Sequence, residues 1–234
     1  MESEISEPSG VTADPAPGGI SLAVDLLEKG GPAIWAIIAL SVVALAIILW
    51  KAWGMWASGA WKSEEAEAAV ALWGRGDVQG AKAAAAAGTG SRARLVAVAM
   101  AQASDPDVPR ETAVAEITRV AKRILGDAQS GLRGLELIAT IAPLLGLFGT
   151  VLGMISAFQG LETAGANADA SALAGGIWEA LLTTAAGMAV AIPVSAALTY
   201  YESISDRLRL DLEDLAGQIV NKPALAEPAR QAAE

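Results

Sequence analysis

Residues 142–160 read A-P-L-L-G-L-F-G-T-V-L-G-M-I-S-A-F-Q-G, an uncharged run in which small residues recur at helical spacing. At about 100° per residue, Ala142, Gly146, Gly149, Gly153, Ala157 and Gly160 share one side of a helix, with Thr150 beside them. Leu144, Phe148, Val151 and Ile155 take the opposite side. A helix in water would bury its large residues and turn charges outward. This one has a smooth groove and a greasy back, the pattern of a membrane helix that packs on its small side, where close backbone approach and dispersion replace the hydrophobic effect.

Two further runs match it. Leu137 to Phe158, which contains most of this stretch, is uncharged over 22 residues and interrupted by Pro143, and Ala180 to Tyr201 is uncharged over another 22, bracketed by Glu179 and Glu202. The latter carries a second small face, Gly176, Ala180, Thr184, Gly187, Ala191 and Ser195, complementary to the first. Pro32 to Trp50 is 19 residues without a charge, about 28 Å as a helix and enough to span a bilayer. Trp35 at one end and Trp50, Trp53, Trp56 and Trp61 at the other read as interfacial belts.

Between these runs the chain is polar and alanine-rich. Glu64 to Trp73 and Val78 to Ala87 predict a helical hairpin around Gly74-Arg75-Gly76-Asp77, and Arg92 to Ala103 a further helix. After Asp105-Pro106-Asp107-Val108-Pro109 a long helix starts near Arg110, with Val114, Ile117, Val120, Ala121 and Ile124 on one face, and is expected to run on through Leu132 and Leu135 into the second span. Leu208, Leu212, Leu215 and Ile219 continue the third span as an amphipathic helix that Pro223 stops.

The expected order is a disordered periplasmic arm at 1–19, an interfacial amphipathic helix at 20–30, and transmembrane helix 1 at 31–52. A cytoplasmic helical domain at 53–134 precedes transmembrane helix 2 at 135–159. A periplasmic connector at 160–176, transmembrane helix 3 at 177–201, a cytoplasmic helix at 202–222 and a disordered tail at 223–234 complete the chain. Orientation follows from the cations: the first 31 residues hold only Lys29 and residues 160–178 hold none, while the other 15 lie in 51–133 or after 201. The positive-inside rule then puts the N-terminus and second connector outside, and the middle region and C-terminus in the cytoplasm. The fold class is an all-α membrane protein, three transmembrane helices with long cytoplasmic helical extensions.

Composition narrows the chemistry. A net charge of −10 with no clustered basic surface argues against a nucleic-acid partner. With no cysteine and no histidine, disulfides, thiolate or imidazole metal sites, Cys nucleophiles and Ser-His-Asp relays are excluded. No catalytic motif is present, so neither an enzyme, a metal site nor a cofactor is expected. Polar groups within a span are expensive and point to function, yet none of the three runs contains Asp, Glu, Lys or Arg. What remains are hydroxyls, Thr140 and Thr150 on the second helix and Thr183 and Thr184 on the third, with Glu179 at the outer end. Such hydroxyls also bond back to their own helix, and Thr184 stands apart because it sits on the small face. Gly146, Gly149, Gly153, Pro143, Gly187 and Pro193 are the helix-packing candidates.

Residues 142–154, A-P-L-L-G-L-F-G-T-V-L-G-M, and 176–193, G-I-W-E-A-L-L-T-T-A-A-G-M-A-V-A-I-P, resemble the two signature helices of the MotA/TolQ/ExbB proton-channel family. The three-span layout is most similar to the ExbB branch, with TolQ next. The resemblance implies a homopentamer whose second and third helices line a pore around the single membrane helices of an ExbD- or TolR-like partner. That partner's membrane Asp carries the proton, and the work is done on a TonB- or TolA-like protein for outer-membrane transport. Thr184 matches the pore threonine of the third helix and Glu179 the glutamate five residues before it. The second helix departs: where the family has threonine two residues before the proline, this chain has Ile141, with Thr140 beside it and Thr150 as a competing hydroxyl. Alternatives are a TolQ-type subunit for envelope integrity and a non-conducting oligomeric scaffold.

Overall fold

A computed structural model describes residues 31–57, 64–165 and 169–221, and every described element is helical. The helices are α1 (Gly31–Ala57), α2 (Glu64–Gly74), α3 (Val78–Ala87), α4 (Ser91–Ala103), α5 (Arg110–Gln129), α6 (Leu132–Ala164) and α7 (Ala170–Asn221). The N-terminal arm, the 20–30 helix, Trp61 and the 223–234 tail lie outside the described residues. Among the described residues, three stretches are long and apolar enough to cross a membrane, Gly31–Met55, Arg110–Ala164 and Ala170–Asn221.

The chain divides into two compact units, Met1–Leu40 with Ile141–Val190, and Ser41–Thr140 with Ala191–Glu234. In the first, the described parts are the start of α1, the C-terminal part of α6 and the N-terminal part of α7. Its buried residues are mostly small, Ala142 and Ala180 among them, with Ile34 and Ile37 from α1. Leu144, Phe148, Ile155, Trp178 and Leu181 are exposed, as large residues of a lipid-facing surface are.

The second unit holds an ordinary apolar core. Trp73 from α2, Leu95 and Met100 from α4, Ile117 from α5, and Leu212 and Ile219 from α7 are all buried in it, and α3 adds Ala81 and Ala85. Fully burying one of the larger side chains stabilises by roughly 1.5–3 kcal/mol. The α2–α3 turn forms where the sequence placed it. Gly76 adopts φ +84°, a value natural only to glycine, and the Asp77 side chain caps α3 by accepting from the Gly80 N–H at 2.9 Å. Arg92 on α4 reaches Asp211 on α7 through Nε and a terminal nitrogen at 2.9 and 2.7 Å, tying the C-terminal stripe to this core.

Two expectations are corrected. The helix beginning at Arg110 does not continue into the second span: α5 ends at Gln129, Ser130 is extended with ψ 136°, and α6 restarts at Leu132 after Gly131 with φ +80°. Serine and glycine here supply a helix stop that the uninterrupted apolar pattern concealed. The connector drawn at 160–176 is largely helical, since α6 runs to Ala164 and α7 begins at Ala170. Gly165 at φ +52° ends the former, and Asp169 opens the latter by accepting from the N–H and hydroxyl of Ser171 at 2.9 and 2.5 Å. Alanine's high helix propensity then outweighs the glycines of A-S-A-L-A-G-G. The third span continues without a break into the stripe of Leu208, Leu212, Leu215 and Ile219, as its period predicts, in one helix of 52 residues.

Candidate functional site: the hydroxyls of the small-faced helix pair

Within the first unit the two small faces meet each other. A methyl group added at Gly146 would lie 2.9 Å from the Thr184 Cα and 3.0 Å from the Thr183 carbonyl oxygen. One at Gly149 would lie 2.7 Å from the Thr183 hydroxyl, and one at Gly153 2.8 Å from the Ala180 Cβ. From the α7 side, a methyl at Gly187 would lie 2.5 Å from the Ala142 carbonyl oxygen. Real Cβ contacts do not come so close, so glycine is needed at these positions for the backbones to approach. The two complementary small faces therefore meet inside a single chain, and the bulky backs of α6 and α7 are what the pair exposes.

This contact sorts the hydroxyls. Thr183 is 4 % exposed; its Oγ1 lies 2.7 Å from the Ala180 carbonyl of its own helix and 3.2 Å from the Gly146 carbonyl across the pair. It is a clamp between two helices. Thr184, one residue on, lies against Gly146 through its Cα, and its hydroxyl is buried without a hydrogen-bond partner. Buried hydroxyls are almost always satisfied, so this unused donor and acceptor is the conspicuous polar feature of the pair. Glu179, partly exposed, stands one turn before Thr183 on α7. Thr150 donates to the Leu147 carbonyl at 2.6 Å, a local bond of the kind that lets a membrane helix carry a hydroxyl at low cost.

Thr140 and Pro193 belong to the second unit. The Thr140 hydroxyl is exposed and donates to the Glu136 carbonyl at 2.9 Å. Pro143 and Pro193 both sit inside helices, each leaving a carbonyl one turn earlier without its helical donor. Among the described residues no group of acidic side chains is placed to hold a metal ion.

Three polar residues of the second unit, Lys51, Tyr201 and Ser205, were not singled out as site candidates by sequence reading. Lys51, the first charge after the first run, is buried, with its ammonium on the carbonyls of Ala128 and Ser130. The Tyr201 hydroxyl donates to the Ile48 carbonyl at 3.0 Å, and Ser205 donates back to the Tyr201 carbonyl at 2.9 Å. The available signal was position alone: each lies at the edge of an uncharged run.

A family model described as the MotA/TolQ/ExbB proton channel family matches residues 87–214, just over half of the 234-residue chain. A biopolymer transport protein exbB1 of Vibrio cholerae serotype O1 is 44% identical over 84 residues, 36% of this chain and 37% of that protein. The Tol-Pal system protein TolQ of Pseudomonas aeruginosa is 38% identical over 105 residues, 44% of this chain and 45% of its own length. A biopolymer transport protein ExbB of Neisseria gonorrhoeae is 37% identical over 106 residues, 45% of this chain and 48% of that protein. The chain thus spans less than half the length of each of these relatives.

Proposed function

Because this chain belongs to the MotA/TolQ/ExbB proton channel family, we propose that it is a proton-channel subunit of the inner membrane that works as a symmetric homo-oligomer, a pentamer by its resemblance to ExbB. The N-terminus faces the periplasm and the C-terminus the cytoplasm. An ExbD- or TolR-like single-span partner supplies the membrane carboxylate that this chain lacks, and the chain itself catalyses no reaction. The observation that carries the reading is the Thr184 hydroxyl, buried and unpartnered within one chain, on a helix pair whose uncharged runs hold no Asp, Glu, Lys or Arg. A group kept free of local bonds is available to a water, a proton carrier or a neighbouring subunit. Each charge crossing 100 mV releases about 2.3 kcal/mol, so several protons supply the mechanical work done on a TonB- or TolA-like protein.

The test is proton flux into liposomes containing the chain with and without its partner. Flux should require the partner, and Thr184→Val should assemble normally while abolishing it. Full flux in that variant would remove Thr184 from the mechanism, and partner-dependent flux that stays at background would leave a passive scaffold. A TolQ-type role in envelope integrity is the second reading, supported by the 38% identity to the Pseudomonas aeruginosa TolQ over 105 residues.

A further inference from the structure

Lys51 follows directly on the apolar run of the first span, yet its side chain is 6 % exposed. Its ammonium donates to the carbonyls of Ala128 and, at 2.8 Å, Ser130, both at the end of α5. An ammonium has three donors. Two are taken here by neutral acceptors, and among the described residues no carboxylate lies within ion-pair distance of it. A buried cation without a counter-charge is costly, and it is the first of two observations that call for an anion.

The second is a cavity of about 290 Å³ beside Lys51. One part of its wall is apolar, formed by Trp50, Met55, Ile124 and Leu208. The rest is polar: Arg94, whose exposed guanidinium makes no ion pair among the described residues, and the hydroxyl-bearing Ser91, Ser130 and Ser205. Ser91 opens α4, whose Gly90 cap supplies no side-chain bond to the first N–H groups. Asp127, an exposed residue, also borders the space. Next to this wall, Trp50 and Trp53 lie exposed at the end of α1, as side chains at a membrane–water boundary do.

We infer that this cavity is a binding site for a phosphate-bearing anion, with the third N–H of Lys51 and the Arg94 guanidinium taking the phosphate and Trp50 and Leu208 facing an apolar body. The matching source is an anionic phospholipid, whose acyl chains satisfy the apolar wall; a free phosphate would use the cationic side alone. The residues of this site all lie in the second unit, whereas Thr184 lies in the first.

The full chain in detergent is titrated with phosphatidylglycerol, with phosphatidylcholine and with inorganic phosphate, and binding is read by native mass spectrometry for the lipids and by the unfolding temperature for all three. Phosphatidylglycerol should bind saturably, more tightly than phosphatidylcholine, and raise the unfolding temperature. Arg94→Gln, on an exposed side chain with no structural bond to lose, should weaken it on the order of ten-fold, as the loss of one charge-assisted contact does. Arg75→Gln, an exposed cation in the α2–α3 turn, should leave it unchanged. Lys51→Met should abolish binding, and Arg94→Gln keeps the test valid should that variant not fold. Binding of inorganic phosphate with the same dependence on Arg94 would uphold the anion site with a soluble ligand. Equal affinity for the two lipids without phosphate binding, or an Arg94→Gln variant that binds like the wild type, would overturn it.

Discussion

Where α6 meets α7 in the first unit, the nearest neighbours are glycines, alanines and backbone atoms, with the 3.2 Å contact from Thr183 to the Gly146 carbonyl as the cross-helix polar bond. In the second unit the buried set is Trp73, Leu95, Met100, Ile117, Leu212 and Ile219, framed by the Arg92–Asp211 pair. The two regions are stabilised against different solvents. A core that excludes water gains by burying large apolar side chains. A helix pair in lipid gains nothing from moving a leucine out of hydrocarbon and must gain from close contact instead, which only small residues permit. Substitutions of opposite sense should therefore be damaging in the two units.

The largest effect is expected from Trp73→Ala, which removes a buried aromatic side chain and leaves a cavity the surrounding alanines of α2 and α3 cannot fill. It should cost about 3–5 kcal/mol, read as a lower unfolding temperature of the purified protein. The contrast would break if the loss were under about 1 kcal/mol, because this unit would then not rest on large-residue burial.

In the helix pair the reverse change is the harmful one. Gly187→Val adds bulk where even a Cβ would sit 2.5 Å from the Ala142 carbonyl oxygen, and a backbone carbonyl inside a helix cannot rotate away. Overpacking of this kind costs about 1–3 kcal/mol or more. Phe148→Val, a change of similar size on the exposed back of α6, should be nearly neutral in the monomer. Comparing the two variants by thermal unfolding in detergent isolates the small face. Equal stability of Gly187→Val and the wild type would mean that the helices do not approach as closely as their glycines allow.

The parts of this architecture that were legible in the sequence are those fixed by local pattern. The three spans follow from uncharged length, and the α2–α3 turn from Gly76 and Asp77. The C-terminal stripe of Leu208, Leu212, Leu215 and Ile219 follows from helical period. What was not legible depends on contacts distant in sequence or on short signals inside a longer pattern. The two complementary small faces were visible, but not which of their residues would meet, since periodicity names a face and not its register. The break at Ser130 and Gly131 was hidden because apolar residues keep helical spacing on both sides of it. At the candidate site Thr183 and Thr184 are adjacent and chemically identical. Only the crossing of α6 over α7 decides which of them finds the Gly146 carbonyl.

That distinction yields the smallest and most discriminating effect. Thr183→Val keeps the shape of the side chain but removes the donor shared between the Ala180 and Gly146 carbonyls, leaving the latter without its cross-helix partner. One hydrogen bond contributes about 0.5–1.5 kcal/mol, so a loss of that size is expected, and Thr183→Ser, which keeps the hydroxyl, should retain most of it. Thr184→Val should behave oppositely in the same assay. Its hydroxyl has no partner in the chain, and replacing a buried unsatisfied polar group by an apolar one of the same shape is neutral or stabilising. A stable Thr184→Val protein without proton flux, beside a less stable Thr183→Val protein that still conducts, would assign the two neighbours to transport and to structure. If both lost stability equally, the Thr184 hydroxyl would be bonded in the membrane after all, and its availability to a proton path would fall with it.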